Sequence, residues 1–83
     1  MVLEEDWGIS PERIRQFFLD QPDITEIPTG FQYNDCRIYL TPKQHHLMNK
    51  WPQTRTVVHI EGLDKDVQEI HQRFFLQFLS AGG

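Results

Sequence analysis

With 83 residues the chain has room for one domain and a small core, and its single cysteine, Cys36, rules out an internal disulfide as a source of stability. No apolar run reaches the length of a membrane-spanning helix, and a net charge of −4 weighs against general affinity for polyanions. The unpaired thiol and the acidic start MVLEEDWG lead to the expectation of a soluble cytoplasmic protein in which self-association supplements a small core.

Residues 1–8 read as an acidic N-terminal arm anchored by Trp7. A helix start follows, with Ser10 as cap, Pro11 at the first helical position and Glu12 in the first turn. Ile14, Phe17 and Phe18 share its apolar face, Gln21-Pro22 ends it near Asp20, and Leu19 points away from that face. Between Pro22 and Gly30, two prolines and a glycine describe a loop, with an extended piece from Ile24 to Ile27 along a sheet edge. The β-rich run FQYNDCRIYL, residues 31–40, predicts a hairpin of strands 31–33 and 36–40 turning at Asn34-Asp35.

Thr41-Pro42-Lys43-Gln44 carries a second set of helix-start signals, which predicts a short helix over 42–51 with Leu47, Met48 and Trp51 as its buried side. A loop is the alternative, and the choice decides whether the last strand pairs parallel or antiparallel with strand 36–40. Residues 55–61, RTVVHIE, read as a strand with Thr56, Val58 and Ile60 on one face and Val57 and His59 on the other. Apolar, β-branched residues on both faces place it centrally. The longest periodic segment is Leu63 to Leu79, where Leu63, Val67, Ile70, His71, Phe74 and Phe78 fall in one helical stripe and Lys65, Glu69, Gln72 and Arg73 lie opposite. Asp64 and Asp66 suit its first turn, and residues 80–83 follow as a flexible tail.

The expected architecture is therefore a single α+β domain spanning residues 1–83. It is a small two-layer sandwich of order α-β-β-(short α)-β-α, with a three-stranded sheet covered by the N- and C-terminal helices.

The first functional expectation is a small non-catalytic protein-interaction module, a homodimer or a subunit of a larger assembly. Leu19, Phe75, Leu76 and Leu79 exceed the apolar stripes of the two helices, so they form the expected interface with another copy or another protein. The alternative rests on charge distribution: residues 1–35 hold eight acids, whereas residues 36–60 hold Arg37, Lys43, Lys50 and Arg55 and no acid. With Tyr39 and Trp51 interleaved, Arg37, Lys43, Lys50 and Arg55 are candidates for binding an anion or single-stranded nucleic acid. Mutual neutralisation of the acidic and basic segments is the simpler account of the same pattern.

His71 is the pH-sensitive candidate, expected neutral inside the apolar stripe, with His59 as its nearest partner. Cys36, His45, His46, His59 and His71 show no metal-ligand spacing, and no nucleophile, phosphate-loop or dinucleotide motif is present, so no catalytic residue, metal or cofactor is assigned, and a His-based metal or catalytic site is the minor alternative.

Overall fold

The computed structural model describes residues 1–46 and 52–81. Strand β1 (Val2–Trp7) leads into helix α1 (Pro11–Leu19). Strands β2 (Thr25–Ile27), β3 (Gly30–Tyr33), β4 (Cys36–His46) and β5 (Pro52–Glu61) then follow, and helix α2 (Asp64–Ala81) ends the chain. The five strands form one antiparallel sheet in the order β1-β5-β4-β3-β2.

This corrects the expected three-stranded sandwich in two places. The segment read as an acidic arm is β1, which pairs with β5 from Val2↔Glu61 to Trp7↔Thr56. Its alternation of exposed and half-buried positions places Leu3, Glu5 and Trp7 toward the core. The segment read as a short helix is, as far as His46, the continuation of β4, paired with β5 from Arg37↔Glu61 to His46↔Pro52. Residues 47–51, the rest of that expected helix, lie outside the described residues. Thr-Pro at 41–42 satisfies a helix start locally, but the cross-strand ladder with β5 wins. Pro42 is tolerated because β3 pairs with β4 only as far as Ile38, leaving one edge of β4 open at residue 42.

Cross-strand partners share a face, so the register sorts the sheet. Leu3, Ile60, Ile38 and Phe31 form one continuous row on the covered face. Both helices lie over it, and Ile14 and Phe18 of α1 join Val67, Ile70, Phe74 and Phe78 of α2 in a single core with Cys36, Ile38, Val58 and Ile60. Aromatic rings tie the layers: Phe18 stacks on Phe74 at 6.0 Å and meets Phe31 at 5.3 Å, while Phe17 reaches Phe78 at 5.6 Å. Thr56, fully buried among apolar neighbours, donates its hydroxyl to the carbonyl oxygen of Ile9 at 2.7 Å and so is satisfied.

Among the described residues no helix lies over the opposite face. It carries Glu4, His59 and Tyr39 in one row, Asp6, Val57 and Thr41 in the next, and Lys43 opposite Arg55.

Candidate functional site

The uncovered face holds the most developed polar cluster. Alternation along β5 turns His59 outward between two carboxylates: Nδ1 lies 3.0 Å from Glu4 Oε2 on β1, and Nε2 lies 3.3 Å from Glu61 Oε2 on β5 itself. The Tyr39 hydroxyl donates to the other oxygen of Glu61 at 3.3 Å, and its ring lies 5.7 Å from the imidazole. A neutral imidazole has one N–H and one lone pair, so only the cation can donate to both carboxylates. Hydrogen bonding to Glu4 is the main influence raising the pKa of His59 above its ordinary 6.5; burial opposes it, and Glu61 adds to it. On the same face Arg55 Nε donates to Asp6 Oδ1 at 2.8 Å.

Four of the six residues expected to bind an anion thus share this face: Arg37, Tyr39, Lys43 and Arg55. Lys50 and Trp51 lie outside the described residues. Arg55 is committed to Asp6, whereas Arg37 and Lys43 form no ion pair among the described residues. Arg37 borders a shallow cleft of about 510 Å³ with Gln32, Asp35, Glu61 and Gly62.

His59 and His71 are not neighbours, because the sheet separates them. His71 projects from α2 over the covered side, half-buried at the flank of the apolar stripe rather than at its centre, and its Nε2 lies 2.6 Å from Glu5 Oε1 on β1. One turn on, Phe75 caps the indole of Trp7, with ring centroids 6.1 Å apart and nearly perpendicular.

The expected interface residues divide into two sets. Phe75, Leu76 and Leu79 lie together on the outer surface of α2, exposed by 39%, 60% and 56%. Leu19 is also exposed but stands apart: Phe17 faces α2 through Phe74, and Leu19 lies about 200° further round α1, turned away from that helix. Gln68 and Gln72 continue the α2 surface toward its N-terminus, all five side chains falling within an arc of about 100°. From residue 68 to residue 79 that arc holds no charge. The charged residues of the same stretch, Glu69 and Arg73, occupy the other flank, where Arg73 donates to Asp23 at 2.9 Å through both terminal nitrogens and to Glu69 at 3.2 Å.

Cys36 is fully buried, and desolvation, reinforced by Asp66 and Glu61, pushes its thiol up to about 11, which suits a packed residue and not a nucleophile. Among the described residues no group of three or more His, Cys, Asp or Glu side chains converges as a metal site. The functional partners that sequence reasoning missed are Glu4, Glu5 and Asp6. Their signal was the period-two pattern of Leu3, Glu5 and Trp7, which marks a strand, but three consecutive acids mask it. Compared with protein-family models, curated proteins and solved structures, the chain matches none significantly, so the functional argument rests on its geometry.

Proposed function

We propose that this protein is a small non-catalytic interaction module that pairs with a second copy of itself through the outer surface of α2. The observation that carries the reading is the exposure of Phe75 and Leu79, with Leu76, on a helix arc free of charge. A surface that meets its own image across a two-fold axis brings like residues together, so a charge on it repels its copy. In a chain with 24% charged residues, an uncharged arc next to exposed apolar side chains suits such an axis. The Trp7 ring beneath Phe75 limits the freedom that side chain would lose on association.

The strip from Gln68 to Leu79 is only about 18 Å long. The interface therefore falls at the small end of the range and gives a weak dimer. Sedimentation velocity from low micromolar to several hundred micromolar should show a concentration-dependent shift from monomer to dimer. The double substitution Leu76→Glu, Leu79→Glu places repelling charges on the strip at solvent-facing positions, so it should leave the chain folded and monomeric throughout. A wild-type chain that stays monomeric at the highest concentration removes the reading.

A second reading has its own observation: Arg37, Tyr39, Lys43 and Arg55 share the uncovered sheet face, and a single-stranded nucleic acid or similar anion could stack on Tyr39 between the cations. Binding of a labelled mixed oligonucleotide should weaken with salt and be lost in Lys43→Glu. No binding at low salt, or equal binding by that variant, counts against it.

A further inference from the structure

The end strand β1 is held by three consecutive carboxylates, each meeting a histidine or arginine side chain on another element. Glu4 meets His59 on β5 at 3.0 Å, Glu5 meets His71 on α2 at 2.6 Å, and Asp6 meets Arg55 on β5 at 2.8 Å. Because side chains alternate along a strand, Glu4 and Asp6 grip the uncovered face while Glu5 grips the helix layer. β1 needs such contacts more than the other long strands do. It pairs with β5 alone, and none of its residues is fully buried.

We propose that the two carboxylates around His59 make β1 a proton-dependent latch, closed while His59 is protonated and loosened when it is neutral. The chemistry follows from the two ring nitrogens of His59. With both facing carboxylates, loss of the proton leaves one lone pair pointing at an anion, so Glu4 and Glu61 cannot both be satisfied. Around this ring the remaining titratable and charged groups are Tyr39, whose hydroxyl is taken by Glu61, Arg37, which lies opposite Glu61, and Asp6, which is taken by Arg55. α2, on the other side of the sheet, adds none. Asp6–Arg55 holds the Trp7 end of the strand, and the Met1 ammonium, which donates to the Gly62 carbonyl oxygen at 2.9 Å and lies 3.3 Å from Asp64, holds the other, so the loosening centres on Glu4.

The His59 pairs are partly exposed, so their loss changes the opening equilibrium modestly, by roughly two- to fivefold. Amide hydrogen exchange of the full chain, corrected for the intrinsic rate at each pH, reads this directly. Between pH 6 and pH 9 the protection of β1 amides should fall by about that factor relative to Ile38 and Ile60. His59→Gln and Glu4→Gln should each flatten the pH dependence of β1 while the reference amides of β4 and β5 report that the fold persists. The proposal is overturned if β1 and the core strands show the same pH dependence, or if β1 in His59→Gln and Glu4→Gln follows the wild-type profile. A variant that unfolds loses reference protection as well, in which case the other variant decides.

Discussion

A methyl group added at Gly30 would stand 2.0 Å from the carbonyl oxygen of Ile38, on the strand paired with its own. That oxygen belongs to backbone, which cannot step aside without breaking the β3–β4 ladder. Gly30→Ala is therefore expected to destabilise the protein by about 1–3 kcal/mol, the cost of overpacking a site that cannot relax, and the loss should appear as a lower urea midpoint with an unchanged slope. Cys36 gives a second test. A thiol with no exposure and a pKa raised to about 11 should resist a disulfide reagent at pH 8 in the folded protein and react at once in urea. Both residues are ordinary in the sequence, and their constraint comes from what folding sets against them. His71 shows the same limit, since the helical stripe places it beside the core but cannot reveal that Glu5, sixty-six residues earlier, waits on an adjacent strand.

At the scale of elements, legibility followed locality. α1 announces itself through Ser10, Pro11 and the Ile14–Phe18 face, and α2 through an unbroken period from Val67 to Phe78. The β3–β4 turn was equally readable: Asn34 adopts the left-handed conformation, φ 53°, that Asn-Asp between two β-rich runs suggests. The sheet was not. β1 belongs to it only because β5, about fifty residues away, supplies its ladder and, with α2, the partners of its acids, and Pro42–His46 are strand only because β5 lies opposite. A window of ten residues contains neither fact. The turn offers a check: Asn34→Gly and Asn34→Val both lose the bond from Asn34 Nδ2 to Asp66 Oδ1, so the further cost of Val over Gly, about 1–2 kcal/mol, isolates the resistance of a β-branched residue to positive φ. Thermal melts of the two variants would show the difference.

At the scale of the molecule, acidic and basic segments meet inside one chain, with Glu4, Glu5 and Asp6 against His59, His71 and Arg55, Arg15 against Glu26, and Asp23 against Arg73. Two of these pairs fix the direction in which stability responds to pH. The pKa of His59 is raised in the folded state, chiefly by its hydrogen bond to Glu4, so folding tightens its proton. Its contribution is complete below the unfolded value of about 6.5 and disappears as pH rises through the higher folded value. The pKa of Asp23 is lowered by its hydrogen bond to Arg73, so its contribution is complete above about 3.8 and disappears as pH falls through the lower folded value. Stability should therefore be greatest between roughly pH 4 and 6.5 and decline on the alkaline side. A neutral histidine buried at the centre of the apolar stripe has the opposite signature, losing stability as pH falls below about 6.5. Because His59 and Glu4 are partly exposed, the alkaline decline should be no more than about 1 kcal/mol, or up to about 1 M in urea midpoint for a domain of this size. Urea midpoints measured from pH 5 to 9 should fall above neutrality in the wild type and stay level in His59→Gln. A midpoint that rises across that interval would place the controlling histidine in an apolar site and not between two carboxylates.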